Sequence, residues 1–265
     1  MGAAYRGSAR AALVHTAFLL LAFLGAPSSS TAQGLADCEG HFRYGVPGDA
    51  PTLLCRLGYA LSHDDTRKVP RWVAYHLTKE HMSGTERRSN DFRPDPDLEP
   101  GERAELADYA GSGYDRGHMA PAGAMKWSRV AMSESFLLSN MAPQIGIGFN
   151  RHIWKSLETK VRAWTKSRGE LYVVTGPVFS TTASKVIGQG NVAVPTQFFK
   201  VIFDPVRVEA IAFVLPHEKL PTKDLPNYLA TVDEVEALTG LDFLSRLDDE
   251  VEKVVESRKP GKMWQ

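Results

Sequence analysis

The sequence lacks a surplus of charge of either sign. Its 265 residues carry 31 lysines and arginines against 31 aspartates and glutamates. A protein that coats nucleic acid through bulk charge is basic, so the composition argues against that class, and any phosphate contact must be local. Residues 151–168 hold six basic side chains and a single acid, Glu158. Taken alone, such a run is typical of a solvated helix face.

Long apolar runs are also scarce. The longest, residues 17–26, is too short to span a bilayer comfortably. Two arginines precede it and Ser30-Thr31-Ala32 follows it, which is the pattern of a secretory signal peptide. We therefore expect residues 1–32 to be cleaved, the protein to be periplasmic or secreted, and the mature chain to have no stable membrane association. An uncleaved anchor is one alternative, and a mitochondrial presequence is another because no acidic residue precedes Asp37.

The sequence has only two cysteines, Cys38 and Cys55, which are too few for a plausible metal site. In an exported protein, an even and closely spaced pair favours a disulfide, with two free thiols as the alternative. Residues 33–265 contain no glycine-serine linker, low-complexity tract or internal repeat. That length without a break favours a single domain.

Strand and helix patterns are mixed along the chain without regular alternation, which predicts an α+β fold. Apolar and β-branched runs predict strands at residues 71–77, 136–139, 171–175, 198–203 and 206–215. Pro143, Gly146 and Gly148 predict an irregular loop over residues 141–149.

Two helices are predicted from periodicity and end signals. Apolar residues at spacings of three and four indicate an amphipathic helix over residues 150–167, ended by Gly169. Thr231 and Glu234 match a capping box that starts a second helix ending at Gly240.

The chemically informative stretch is YDRGHM, residues 114–119, followed downstream by Asn150 and Glu158. Hydrolysis of a phosphodiester needs a group that takes a proton from water, and a neutral histidine such as His118 does this near pH 7. A divalent cation and an arginine stabilise the negative charge that develops on the phosphoryl oxygens and on the leaving oxygen. Mg²⁺ prefers oxygen ligands and keeps several waters, so one protein ligand, the amide oxygen of Asn150, can suffice. Glu158 lies about 12 Å further along a helix axis, which suits a contact with a metal-bound water rather than with the ion.

At this point the chain resembles a known family, the DNA/RNA non-specific endonucleases with a ββα-metal site, and within it endonuclease G and its bacterial relatives. The resemblance covers about residues 71–215. It rests on Arg87-Arg88, Asp91-Phe92-Arg93, Asp108-Tyr109, the run from Gly111 to His118, Ser139-Asn140, Ala142-Pro143-Gln144, Asn150, Thr175-Gly176-Pro177 and Val192-Ala193-Val194-Pro195-Thr196. It implies a central antiparallel sheet with flanking helices.

The resemblance also implies a role for each matching residue. The implied set is His118 as general base, Asn150 as the sole direct Mg²⁺ ligand, Glu158 as the acid that holds metal-bound water, Arg116 and Arg87 as phosphate-binding arginines, and Asn140 as a supporting residue. The implied cofactor is Mg²⁺ with Mn²⁺ as a substitute. The implied reaction cleaves DNA and RNA to 5′-phosphate and 3′-hydroxyl ends, and homodimers are frequent in the family.

Each assignment has a structural alternative. His118 could be a buried, hydrogen-bonded histidine, and Arg116 could pair with Asp115. Asn150 could be only a helix N-cap, and Glu158 could pair with Arg162 four residues on. The functional alternatives are a non-catalytic nucleic-acid-binding protein and a phosphodiesterase or phosphatase that acts on small molecules.

Overall fold

A computed structural model describes residues 1–4, 38–180 and 185–265. The predicted signal peptide therefore lies outside the described residues, except for its first four positions. Within the described part of the chain, no helix combines the length and the hydropathy needed to cross a membrane.

A seven-stranded sheet organises the chain, and every pairing in it is antiparallel. The strands in chain order are β1 (Leu53–Cys55), β2 (Ala60–Asp64), β3 (Val69–Thr78), β4 (Tyr114–His118), β5 (Met141–Ile145), β6 (Glu170–Val178), β7 (Val186–Ile187), β8 (Val192–Ala193), β9 (Gln197–Asp204), β10 (Glu209–Pro216) and β11 (Leu229–Ala230). The large sheet has the order β1-β2-β3-β6-β9-β10-β11, while β4 with β5 and β7 with β8 form separate two-stranded ribbons.

In the described ranges, five α-helices accompany the strands. They are α1 (Leu106–Tyr109), α2 (Arg129–Glu134), α3 (Lys155–Arg168), α4 (Val232–Thr239) and α5 (Asp249–Ser257). Single turns of 3-10 helix lie at His81–Ser83, Ala122–Ala124 and Leu138–Asn140, and a longer one at Thr222–Tyr228. The mixed helix and sheet content and the central antiparallel sheet confirm the predicted α+β class.

Both faces of the sheet are covered, and the strand alternation shows which residues face which layer. In β3, Val73, Tyr75 and Leu77 pack in the layer beneath α3, while Trp72 and Ala74 pack on the opposite face. From α3, Leu157, Val161 and Trp164 are buried in the first layer. Each such large apolar side chain contributes about 1.5–3 kcal/mol on burial. The opposite layer is closed by α4, α5 and the N-terminal segment around Phe42.

The strand predictions at residues 71–77, 171–175 and 198–203 are confirmed. The last predicted strand is also confirmed, although it begins at Glu209 rather than at residue 206, because a longer turn joins it to β9. The capping box of Thr231 with Glu234 forms, and Gly240 ends α4 in the left-handed conformation. Cys38 and Cys55 form a disulfide that ties the N-terminal segment to β1.

Two predictions between residues 136 and 149 are wrong. The apolar run at 136–139 is not a strand: it makes one isolated bridge between Leu137 and Arg93 and then turns into 3-10 helix. The predicted loop begins with strand β5, which includes Pro143. β5 pairs only with β4, and the edge of a ribbon is where a strand tolerates a residue without an N–H.

The predicted helix over residues 150–167 is correct in place but not uniform. A wide, π-type turn occupies Gly146–Trp154, with non-helical backbone at Ile147 and at Gly148, whose φ is 96°. Regular helix follows as α3 and ends at Gly169, whose φ is 103°. The order β4, β5, wide turn, α3 is therefore a ββα unit, packed on one face of the large sheet.

Candidate active site

The β4–β5 ribbon brings the informative residues of the sequence to one place. Its register pairs His118 with Met141, Gly117 with Ala142 and Asp115 with Gln144. Gly117 is required by packing, because a Cβ there would overlap the side-chain amide of the buried Gln144. The DRGH sequence thus combines one small residue for close ribbon packing with three side chains available for chemistry.

His118 ends β4 with its ring almost enclosed and 9% of the residue exposed. The rings of Phe92 and Phe136 meet the imidazole edge-on, with centroids 5.7 and 5.0 Å away. Behind it, the indole Nε1 of Trp154 donates a hydrogen bond to the His118 carbonyl oxygen, at 3.2 Å. Its Nε2 is buried without a hydrogen-bond partner among the described residues, which contradicts the alternative of a hydrogen-bonded structural histidine.

Burial sets the protonation state of His118. Desolvation disfavours the imidazolium, and the nearby guanidinium groups of Arg88 and Arg116 add to the effect, so that the pKa of His118 is lowered to about 3. The ring is therefore neutral at pH 7, as a group that accepts a proton must be.

Two arginines lie over the phenylalanine rings that enclose His118. The guanidinium of Arg116 lies 4.2 Å from the centroid of Phe92, and that of Arg88 lies 4.6 Å from the centroid of Phe136. Neither forms an ion pair within the described part of the chain, and Arg116 does not pair with Asp115. Most of their N–H donors therefore remain available for an anion.

Arg88 and Arg116 line an open cavity of about 470 Å³. Phe92, Asp115, Asn150 and Arg151 also line it. Arg87 and its neighbour Arg88 are both exposed, but Arg88 is part of this lining and the predicted Arg87 is not. His118 is not part of the lining either and lies behind Phe92.

Asn150 lies in the wide turn that precedes α3. Its Nδ2 donates to the carboxylate of Asp115 at 2.8 Å, and the same carboxylate accepts two hydrogen bonds from Arg151, at 2.6 and 2.8 Å. These bonds, first of all that of Arg151, lower the pKa of Asp115. Asn150 lines the cavity, and its amide oxygen has no hydrogen-bond partner among the described residues. It caps neither helical segment, so the N-cap alternative is wrong.

Glu158 lies in the first turn of α3 and is half-buried. Burial raises the pKa of Glu158, and the nearest opposing charges are those of Lys200, Arg162 and Arg88. The alternative ion pair with Arg162 does not form, because Arg162 donates to Thr159 instead, at 2.9 Å. The carboxylate remains without a hydrogen-bond partner in the described residues.

Lys200 was not predicted from the sequence. It is fully buried in β9, its Nζ lies 4.6 Å from the ring centroid of Trp154 and 3.4 Å from the Tyr75 hydroxyl, and burial lowers its pKa. The signal was a single cation within the apolar run FFKVIF. At a position that faces the α3 layer, this lysine supplies the largest positive field at Glu158.

Asn140 is fully buried and supports the backbone instead of lining the cavity. Its side-chain oxygen accepts from the Ala120 N–H, and its Nδ2 donates to the carbonyl oxygens of Ala120 and Ser135, all at 2.9 Å. It thus holds the chain two residues after His118, which agrees with a supporting role.

The basic run of residues 151–168 divides into two parts. Arg151 is exposed, lines the cavity and pairs with Asp115, and Lys155 is exposed at the start of α3. Arg168 is only 11% exposed and is bound by Asp204 and Glu209 at 2.9 and 2.5 Å. The end of α3 is therefore a structural ion-pair site, whereas Lys155 at its beginning is exposed.

The side chains present fit a hard divalent cation. The free amide oxygen of Asn150 and the unpaired carboxylate of Glu158 are oxygen donors, the type that Mg²⁺ and Mn²⁺ prefer. Among the described residues, those that line the cavity include no sulfur or histidine donor.

Comparison with known proteins gives consistent matches. The family model described as DNA/RNA non-specific endonuclease matches residues 39–250. "Nuclease C1" of Cunninghamella echinulata var. echinulata is 42% identical over 227 residues, covering 80% of this chain and 90% of that protein. Human "Endonuclease G, mitochondrial" is 37% identical over 222 residues, covering 77% and 73%.

A solved structure gives the same result. The crystal structure of the EndoG/EndoGI complex, which concerns EndoG inhibition, aligns with a TM-score of 0.76 at 36% identity, covering 80% of this chain and 93% of that one. The resemblance seen in the motifs and the ββα-metal fold that it implied are both confirmed.

We predict that His118 stays neutral through the mildly acidic range in metal-free protein. Its folded pKa, about 3, is below its ordinary value of 6.5. The unfolded chain therefore binds a proton first as the pH falls. The stability that the neutral ring contributes is fully present above pH 6.5 and is lost as the pH falls toward 3. NMR titration of the imidazole Cε1–H resonance, assigned by comparison with a His118→Ala spectrum, measures the pKa of His118. A midpoint near 6.5 would contradict the geometry.

Proposed function

Since the chain belongs to the DNA/RNA non-specific endonuclease family, we propose that it cleaves DNA and RNA with His118 as general base and one Mg²⁺ at Asn150, leaving 5′-phosphate ends. Membership of the family makes the protein an endonuclease, a metal-dependent phosphodiester hydrolase. The observation that carries the residue assignment is a neutral, enclosed histidine near two arginines that lack ion-pair partners in the described residues, behind a cavity that these arginines and Asn150 line.

In this mechanism His118 accepts the proton of the attacking water at a ring nitrogen. Arg88 and Arg116 oppose its protonation in the free protein. When a phosphodiester binds between them, its negative charge offsets theirs, and the pKa of His118 rises toward the value that a general base needs. The arginines thus keep the base unprotonated before substrate arrives and then hold the substrate.

The remaining charge develops on the phosphoryl oxygens and on the leaving 3′ oxygen. The N–H donors of Arg88 and Arg116 face this charge without competing acids. Asn150 would hold the cation directly and Glu158 would hold it through water. The chemistry that a divalent cation supplies there is compensation of the charge on the leaving oxygen.

The absence of sequence specificity has a physical basis at this site. The groups of the cavity that suit a ligand are the arginines Arg88 and Arg116, which suit phosphate, and the amide of Asn150, which suits its counter-cation, while the lining residues Asp115 and Arg151 pair with each other. Phosphates carry no sequence information, so a site that binds them alone reads none. The exposed Lys155 at the start of α3 extends the positive surface for neighbouring phosphates.

Replacement of the base and of the metal ligand tests the mechanism. His118→Ala should lower the rate on plasmid and on RNA by about 10²–10⁴-fold. Asn150→Ala should raise the Mg²⁺ concentration needed for half-maximal rate. Both variants are compared with the parent protein in Mg²⁺, Mn²⁺ and EDTA, after circular dichroism has shown that they fold.

The assignment fails if His118→Ala stays within a few-fold of the parent rate, or if Asn150→Ala binds Mg²⁺ unchanged. Two controls address the remaining classes. Folded parent protein that binds nucleic acid but cuts none would indicate a binding protein. Inhibition of plasmid cleavage by small phosphoesters at low concentration would indicate a small-molecule phosphodiesterase.

The adjacent arginines provide a matched pair. We propose that Arg88, rather than Arg87, binds the scissile phosphate, because it lines the cavity and lies next to Phe136 and His118. Arg88→Ala should lower kcat/KM by about 10²-fold, the effect of losing one such donor. Arg87→Ala removes the same charge one residue away and should change the value less than about three-fold. A larger loss of kcat/KM in Arg87→Ala than in Arg88→Ala would instead assign phosphate binding to Arg87.

We also propose that residues 1–32 direct export, on the basis of their sequence pattern and of the Cys38–Cys55 disulfide, which is typical of oxidising compartments. Several relatives are named mitochondrial, including that of Saccharomyces cerevisiae, so import into mitochondria is the competing route. Sequencing of the mature N-terminus should give Gln33 in the exported fraction. Recovery with mitochondria, or an intact N-terminus, would reject export.

A homodimer is a further part of the proposal, and it rests on the family resemblance alone. Light scattering should give twice the mass of one mature chain, and the mass of a single chain would reject it.

A further inference from the structure

A group of acidic side chains lies on the face of the sheet opposite α3 and His118. Helices α4 and α5 pack against each other and against β10 there. From α4, Asp233 and Glu236 project from the same face, three residues apart, and Glu256 approaches from the end of α5. Each offers one carboxylate oxygen, and the three oxygens all lie within 4.8 Å of one another.

Glu256 distinguishes this group from an ordinary acidic surface. It is only 6% exposed, and its Oε1 is buried with no hydrogen-bond partner among the described residues. A buried carboxylate is costly unless it is paired, hydrogen-bonded or coordinates a metal. Here the neighbours that act on it are acids, namely Glu236, Glu252, Asp233 and Asp242.

Protein cations do not neutralise the group in the part of the chain that the structure describes. Lys259 lies 3.5 Å from Glu234, and Arg246 pairs with Glu39, so neither serves the three carboxylates. Only Glu236 has a hydrogen-bond partner, the backbone N–H of Phe243 at 2.9 Å. Burial together with this crowding raises the pKa of Glu256 to about 8.

We propose that Asp233, Glu236 and Glu256 bind a Ca²⁺ ion that joins α4 to α5, at a site separate from the catalytic cavity. Ca²⁺ takes six to eight oxygen ligands in flexible geometry and accepts carboxylates in one- or two-oxygen modes. Mg²⁺ demands a near-ideal octahedron and usually takes only one or two carboxylates. Three convergent carboxylates, with the exposed Asp233 leaving one side open to water, therefore favour Ca²⁺.

The ion would supply the positive charge that the buried Oε1 of Glu256 lacks. Because such a site forms only when both helices are in place, binding stabilises the folded chain in proportion to the logarithm of ion concentration. At about 100 times the dissociation constant, the gain corresponds to a rise in Tm of about 5–10 °C for a domain of this size.

The test separates this site from the catalytic one. In purified Asn150→Ala protein stripped with EDTA, the catalytic ligand is absent, so calorimetry should show one saturable Ca²⁺ site and a rising Tm. Glu256→Gln in the same background should abolish both effects and, in EDTA at pH 7, should melt no lower than its parent, because the pKa of about 8 leaves the Glu256 carboxyl largely uncharged and the amide is a neutral side chain of the same shape. Glu250→Gln, an exposed acid on the same helix, is the matched control and should bind Ca²⁺ normally.

Three results would overturn the proposal: no saturable Ca²⁺ binding to the Asn150→Ala protein, unchanged binding in Glu256→Gln, or an equal gain in Tm with Mg²⁺. If Glu256→Gln does not fold, Asp233→Asn replaces an exposed ligand and should weaken Ca²⁺ binding by at least ten-fold. Unchanged affinity in that variant would reject the site. The readouts are heat and Tm, so they do not depend on nuclease activity.

Discussion

The proposed catalytic arrangement depends on the carboxylate of Asp115, which connects two parts of the ββα unit. It lies on β4 and accepts hydrogen bonds from Asn150 and Arg151 in the wide turn before α3. Arg151 is 63% exposed, and pairs of this kind contribute at most about 1 kcal/mol to stability. These hydrogen bonds instead orient Asn150: with Nδ2 bound to Asp115, its amide oxygen stays free of protein partners in the described residues. Gly146 is needed beside it, because a Cβ there would lie 2.9 Å from the Asp115 Oδ2.

The partners of the arginines distinguish the positive charges used in ion pairs from those that we propose for phosphate binding. Arg56 and Arg168 are bound by buried aspartates, Asp95 and Asp204, and have few donors to offer a ligand. Arg88 and Arg116 lie instead on the faces of aromatic rings. A cation over such a ring gains about 0.5–2 kcal/mol, enough to hold its position while most of its N–H donors stay free. An acid partner would neutralise the charge that keeps His118 deprotonated and that phosphate needs.

How far the sequence predicts this site depends on the kind of signal. His118 and Asn150 lie in dense motifs, and the helix after Asn150 has clear periodicity, so the sequence alone is enough to place both. It does not decide between Arg87 and Arg88. Both lie in an irregular segment, where no helical or strand periodicity indicates which side chain faces the cavity. The pattern around Phe136 predicts a strand, since an apolar run looks the same whether it forms a strand or encloses a histidine. The sequence also gives no sign of the oxygen cluster of Asp233, Glu236 and Glu256, because its members meet only when α5 packs on α4.

Lys200 and Glu158 show why a buried charge persists beneath this site. By strand alternation Lys200 occupies a position of the α3 layer, between Phe198 and Ile202. Stability alone would favour an apolar residue there, since replacing buried ion pairs by apolar side chains is often neutral or stabilising. Without the lysine, however, burial would drive Glu158 further toward its neutral form, and a neutral acid cannot help to hold a cation. Without Glu158, burial alone would act on Lys200 and lower its pKa further. Each charge therefore opposes the effect of burial on the other: Lys200 limits the rise in the pKa of Glu158, and Glu158 limits the fall in the pKa of Lys200.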